Sequence, residues 1–170
     1  MSKPSNVETT VLRLEDFDQA ELINLLKRYQ LEVQIVLFGQ AIPGSFWGDS
    51  EAGLIGHQLF LRQDTPIHSA LHEACHFICM DDARRKQLNK NAGNSQAEEN
   101  AVCYLQILLA DDLLSLGRQR ILSDMDAWGY SFRLGSAQKW FEQDSQESRE
   151  WLLAHDLIDQ NNRSTYRLRL

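Results

Sequence analysis

The chain has 170 residues, 43% hydrophobic side chains and a formal net charge of −7, which suits one globular domain with a sizeable core. This acidic balance provides no positive field for phosphate backbones or anionic lipids, so it argues against nucleic-acid binding. Met1–Thr10 lacks the apolar core of a signal peptide, and no apolar run reaches the length of a membrane span. We therefore expect a cytoplasmic protein that does not bind membranes, with a single domain over residues 1–170 and loose order at 1–10 and 161–170.

The first part of the chain predicts a helix followed by a strand. Asp16 or Asp18 is suited to cap a helix whose apolar residues recur at helical spacing and which ends near Gln30. Leu31–Phe38 then alternates apolar and polar residues and is rich in β-branched side chains, which is typical of a strand.

A loop and a second strand precede the motif described below. Gly39–Gly53 contains one proline and several glycines and is expected to be a loop. Its aromatic residues, Phe46 and Trp47, are expected to pack over the sheet rather than to line a cleft. Leu54–Arg62 alternates again and predicts one strand.

An HExxH motif, His72-Glu73-Ala74-Cys75-His76, lies within the apolar run that follows. A helix is expected from Pro66 to about position 80 or 82, because proline is favoured at the first helical position. His72 and His76 then lie one turn apart on one face, where two imidazoles can bind one Zn²⁺. Glu73 would lie beside the metal and act as the general base that takes a proton from metal-bound water.

Beyond the motif, the pattern is mainly helical. Arg84–Gly93 is polar and expected to be irregular. Further helices are expected over Ser95 to about Ala110, Leu113–Trp128 with Gly129 as its stop, a segment capped by Ser136, and about Gln146 to His155.

A catalytic zinc site needs a third protein ligand, for which Glu98 is the leading candidate. Glu98 shares a helix face with apolar residues, so it would point at the histidines if that face packs on the motif helix. The alternative ligand is Glu99, which points toward a more polar side with Cys103 and Gln106. Ser95 followed by Glu98 also fits a capping box, in which Glu98 would bond only to the backbone.

Two further residues of the motif helix share the face of the histidines. His68 lies one turn before the motif. It is expected at the rim of a cleft or in contact with a metal-ligating side chain, because a straight helix cannot bring three such residues to one ion. Cys79 lies three residues after His76, and as a ligand it would close the site and indicate structural zinc. The cysteines are expected to be reduced, buried thiols without a disulfide.

The donor that would stabilise an oxyanion is not fixed by the sequence. Its candidates are His57, on the strand before the motif helix, Tyr130, in a short turn after Gly129, and His155.

The motif and the later helix together resemble a known family. His72–His76, followed after about twenty residues by Glu98–Leu109, is similar to the ImmA/IrrE metallopeptidases, which pair HExxH with a helix of the form E-x-x-A-N-x-F-A-x-x-L-L. The resemblance covers about Leu54 to Ala110 and implies a zincin-like core. It also implies that Glu98 is the third zinc ligand.

The chain departs from this family pattern at several positions. Val102 stands where Asn or Asp is usual, Leu105 replaces a small residue, and Asp111-Asp112 follows where Met-Pro is frequent. The whole chain is also similar to uncharacterised bacterial HExxH proteins. The resemblance therefore implies a fold and a metal rather than a substrate.

These features together predict an α+β, zincin-like domain in which a small mixed or antiparallel sheet packs against a helical bundle containing the HExxH helix. The expected activity is hydrolysis of a peptide or protein substrate, with Zn²⁺ bound by His72, His76 and Glu98 and with water activated by Glu73. The competing interpretation is a non-catalytic zincin-scaffold module with structural or vestigial zinc, acting in protein interaction or regulation. An open coordination position would favour the enzyme, and a fourth protein ligand would favour the module.

Overall fold

The computed structural model describes residues 10–45, 50–87 and 95–170. Phe46, Trp47 and the first nine residues lie outside the described residues, so the expectations for them stay predictions. The described part is a mixed α+β structure with seven helices and one three-stranded sheet. Its elements in chain order are α1 (Gln19–Lys27), β1 (Glu32–Val36), β2 (Gly53–Ile55), β3 (Gln58–Arg62), α2 (Ile67–Cys79), α3 (Asp82–Lys86), α4 (Gln96–Ala110), α5 (Arg118–Trp128), α6 (Ala137–Gln143) and α7 (Gln146–Ala154).

The sheet is mixed, with strand order β1-β3-β2, in which β3 pairs parallel with β1 and antiparallel with β2. The single strand expected over Leu54–Arg62 is wrong, because a hairpin divides that stretch into β2 and β3. Gly56 lies at the turn with φ of +57°, a left-handed conformation that glycine adopts without steric cost. Leu54 and Leu59 pair across the hairpin and are both buried, whereas in one continuous strand these residues, five apart, would face opposite sides.

Helix α2 begins directly after Pro66, whose extended conformation leads the chain out of the sheet and into the helix. It ends at Cys79, so the bounds expected from the sequence are confirmed within a residue or two. Every residue of α2 except Glu73 is buried, because the sheet, α4 and α5 all pack against it. The HExxH motif therefore lies in the interior.

Helix α4 also forms where its sequence predicts. The Ser95 hydroxyl caps it by accepting a hydrogen bond from the Glu98 N–H at 3.2 Å, and the helix ends at Ala110. It contacts α2, α5 and α7, and its residues from Ala101 to Ala110 are all buried. Apolar side chains are therefore buried on several sides of the helix, and they do not mark the side that faces α2.

Two helical segments differ from the expectation. Helix α5 begins at Arg118 rather than Leu113, because Gly117 with φ of +78° interrupts the apolar pattern, while Gly129 ends the helix as expected. Asp82–Lys86 forms the short helix α3, capped by Asp81, partly within the stretch expected to be irregular.

The C-terminal segment, for which loose order is expected, makes defined contacts with the end of α2. The Arg169 N–H donates to the Ile78 carbonyl at 3.1 Å, and its guanidinium donates to the Cys79 carbonyl at 3.2 Å. Tyr166 and Leu168 pack against the core. The segment thus satisfies carbonyl groups that the end of a helix leaves unpaired.

None of the helices in residues 10–45, 50–87 and 95–170 combines the length and the apolarity that a membrane crossing requires.

Gly53 provides a test of this sheet. A Cβ atom there would lie 1.8 Å from the Pro43 carbonyl oxygen, which is backbone and cannot move aside freely. We expect Gly53→Ala to lower the free energy of unfolding by about 3 kcal/mol in urea denaturation. Gly56→Ala is the control, since only its left-handed φ opposes the change, and it should cost roughly 1 kcal/mol. Equal losses in the two variants would contradict the packing at Gly53.

Candidate metal site

His72 and His76 converge with one carboxylate of α4. The His72 Nε2 lies 3.0 Å from Oε1 of Glu99, and the His76 Nε2 lies 3.1 Å from Oε2 of the same side chain. One potential ligand atom from each of the three residues lies within 4.8 Å of the others. Both histidines are buried, while the Glu99 side chain is 33% exposed. The three groups can therefore bind one metal ion that is reached from the surface beside Glu99.

The buried side-chain amide of Gln106 fixes the orientation of the His72 ring through its Nδ1 atom. The Gln106 Nε2 donates to the His68 carbonyl at 2.8 Å and contacts the Tyr130 hydroxyl at 3.2 Å. Its Oε1 therefore faces the His72 Nδ1, 2.9 Å away, and accepts the proton on that nitrogen. The bond to Gln106 thus orients the ring so that Nε2 points toward Glu99, and a proton held on Nδ1 would leave Nε2 free to ligate a metal ion in place of its bond to Glu99.

Glu73 follows His72 directly and is only partly buried, unlike the rest of α2. Burial raises the pKa of its carboxyl group, and the neighbouring His76 and His72 oppose that rise. No described residue makes a hydrogen bond to this carboxylate. The side chain is thus placed beside the converging histidines, with its oxygens available to a proton.

The position of Glu98 contradicts the expectation that this residue is the third ligand. Its carboxylate is 2% exposed and accepts hydrogen bonds from Arg84 at 3.0 and 2.5 Å and from Arg169 at 3.1 Å. The structure does not bring it to His72 and His76, and the alternative, Glu99, occupies that place. Glu98 also does not cap its own helix in the manner of a capping box, since its side chain is committed to the two arginines.

The packing around α4 explains why Glu99, and not Glu98, faces the histidines. Because α2, α5 and α7 all contact this helix, an apolar face does not identify the side next to the histidines. Glu99, Cys103 and Gln106 lie at i, i+4 and i+7, and this row of polar residues faces α2. Gln106 is completely buried, and a buried amide needs hydrogen-bonding partners. A polar row on an otherwise apolar helix was the sequence signal for Glu99.

His68 and Cys79 do not belong to the converging group. His68 is buried, with its Nδ1 3.0 Å from the Tyr130 hydroxyl and its ring 5.1 Å from that of Trp128. Burial lowers the pKa of His68 to about 3, so its ring is neutral. Cys79 is fully buried, and burial raises its pKa well above the usual value. All three cysteines are buried free thiols.

Of the candidates for oxyanion stabilisation, only Tyr130 contacts a residue of the site. Its ring lies 5.6 Å from that of His72, and its hydroxyl bonds with His68 and Gln106. His57 instead packs against Phe77. His155, the third candidate, stacks on a tryptophan of α7.

The donor set fits a zinc ion. Two imidazole nitrogens and one carboxylate oxygen form a ligand set found in catalytic zinc sites. Burial disfavours a charge on Glu99, yet the hydrogen bonds from His72 and His76 hold the pKa of this carboxyl group well below its usual range. Glu99 is therefore ionised, as a metal ligand must be.

Comparisons with protein-family models, with curated proteins and with solved structures found no match to this chain. The roles of these side chains are therefore inferred from their geometry and chemistry.

The neighbouring glutamates should separate metal binding from stability. We expect Glu99→Gln to weaken Zn²⁺ binding more than about a hundredfold in a chelator competition assay, because an amide is a far poorer ligand than a carboxylate. Glu98→Gln should retain the metal but lower the free energy of unfolding by about 2–3 kcal/mol, since two arginines lose their carboxylate. Loss of metal in the Glu98 variant, with normal binding in the Glu99 variant, would reverse the assignment.

Proposed function

We propose that this protein is a zinc-dependent metallopeptidase-like hydrolase of the ImmA/IrrE type. His72, His76 and Glu99 would bind the ion, and Glu73 would be the general base. The observation that carries this proposal is the convergence of two histidine Nε2 atoms on one carboxylate, within an HExxH helix. A peptide or protein substrate is inferred from the family resemblance.

Zinc, when bound, acts as a Lewis acid that makes water more acidic and polarises a carbonyl group. The protein's own contribution to the proton transfers is Glu73. The raised pKa of this carboxyl group lies closer to neutral pH than that of an ordinary glutamate. Glu73 would therefore accept a proton from water and return it to a leaving amine more readily. Gln106 maintains the His72 tautomer that leaves Nε2 available for the ion.

The surroundings of the group favour catalysis over a purely structural role. Among the described residues, the potential metal-binding group contains three members and no fourth histidine, cysteine or carboxylate. A catalytic zinc site has three protein ligands and leaves one position open, whereas a structural site has four. Glu99 is also partly exposed, so a substrate has access to this side of the group.

The first test is metal content. We expect one Zn²⁺ per chain in protein purified without added metal, measured by elemental analysis, because the three ligand atoms already converge. His76→Ala removes one ligand and should reduce the content to near zero. Wild-type protein without metal, or a His76→Ala variant with full occupancy, would refute the proposed site.

The second test isolates the general base. Glu73→Gln should retain Zn²⁺ and lower the rate of peptide hydrolysis by about 10²–10⁴-fold, because the amide cannot accept the proton. Glu142→Gln, an exposed carboxylate on α6, is the control and should leave the rate unchanged. Metal-loaded protein that hydrolyses no peptide in a diverse mixture would favour the non-catalytic module.

A further inference from the structure

A cavity of about 320 Å³ opens beside the first turns of α4, the helix that carries Glu99. It lies between the first turns of α4, the segment that follows α5, and helices α6 and α7. Its lining includes Gln96 and Asn100 of α4, Ser131 and Phe132 of the connecting segment, and Trp140 of α6. This volume suits one amino-acid side chain rather than a large cofactor.

Two elements connect this cavity to the metal site. Asn100 directly follows Glu99 on α4, and Gln96 lies one turn earlier on the same exposed side of the helix. Ser131 directly follows Tyr130, whose ring contacts His72. A peptide that reaches the group at Glu99 would therefore place a neighbouring side chain over the cavity.

The aromatic residues form one wall of the cavity. The rings of Phe132 and Trp140 stack at 4.9 Å with an interplanar angle of 28°, and Phe132 also stacks on Tyr130. These contacts fix the orientation of the Phe132 ring. Aromatic faces attract cations and pack against the methylene groups of lysine and arginine side chains.

The charges around the cavity do not balance. Arg133 donates to Asp144 and pairs with it at the rim, which neutralises one acidic group. Glu147, in the first turn of α7, is a second carboxylate in the lining, and Arg133, which is paired with Asp144 and also attracted by Glu147, is the one basic residue among the described residues of the lining. The side-chain NH₂ of Gln96 donates to the side-chain oxygen Oδ1 of Asn100. The side-chain oxygen of Gln96 is then a further hydrogen-bond acceptor. The described residues of the lining thus carry one basic and two acidic side chains, a net charge of −1, beside an aromatic wall.

We propose that this cavity is a specificity pocket for a positively charged side chain, lysine or arginine, of a peptide substrate. This proposal rests on the proposed function, since a peptide substrate is expected only if His72, His76 and Glu99 form an active site. Its ligand preference follows from its own aromatic and acidic lining.

The test measures binding and cleavage separately. Labelled heptapeptides of alanine and glycine, with lysine, norleucine or glutamate at the centre, are titrated with the zinc-loaded protein and followed by fluorescence anisotropy. Mass spectrometry of the same mixtures detects cleavage. The lysine peptide should bind most tightly and the glutamate peptide least tightly, with norleucine between them.

Glu147→Lys should weaken binding of the lysine peptide by about tenfold, because attraction becomes repulsion at the pocket. Glu147→Gln should show a smaller loss in the same direction. Glu150→Lys is the matched control, since Glu150 lies one turn further along α7, is also exposed, and gives the same change in net charge without lining the cavity. It should change binding less than twofold, and thermal unfolding should confirm that each variant is folded.

The outcomes distinguish the pocket from the catalytic site. Equal effects of the Glu147 and Glu150 charge reversals, equal binding of the three peptides, or no binding of any of them would overturn the pocket. Selective binding of the lysine peptide without cleavage of any peptide would support the pocket and refute the proposed hydrolysis. Cleavage of all three peptides at equal rates would support hydrolysis and refute the pocket.

Discussion

The contact between α2 and α4 is the interaction on which the rest of this structure depends. Both helices are almost entirely buried, yet α2 carries three histidines, and α4 carries a carboxylate and an amide that face two and one of them. Polar groups in a core must pair with one another, because an unpaired one costs between about 1 and 3 kcal/mol. His72 satisfies this condition with Glu99 on one side of its ring and with Gln106 on the other. The requirement therefore fixes the rotation of α4 about its axis and creates the candidate metal site.

Because of this rotation, the adjacent residues Glu98 and Glu99 of α4 contact different parts of the structure. Successive residues on a helix point about 100° apart, so Glu99 can face the histidines only if Glu98 faces elsewhere. Glu98 lies against Arg84 and Arg169 and connects α4 with α3 and the C-terminal segment. Arg169 also bonds to carbonyl groups at the end of α2. Glu98 thus secures the ends of the two helices whose side chains form the site.

The first turns of α4 connect the candidate metal site with the proposed pocket. Glu99 faces the histidines, and Asn100 and Gln96 line the cavity beside it. Across the cavity, Tyr130 and Phe132 continue from the His72 ring to the aromatic wall. Stacking of Phe132 on Tyr130 and Trp140 holds this part of the connecting segment against α6 and next to the His72 ring.

The sequence by itself determined the features that depend on neighbouring residues. Spacing of four residues on a helix placed His72 and His76 on one face, Pro66 marked the start of α2, and Ser95 marked the start of α4. Only the tertiary structure decided that Glu99 faces the histidines, because α4 is covered on several sides and its apolar pattern has no single direction. The hairpin at Gly56 was likewise decided by strand pairing, because pairing of Leu54 with Leu59 buries both, although their spacing of five residues would put them on opposite faces of one strand. Periodicity records which residues share a face, whereas the partner of that face depends on residues far away in the chain.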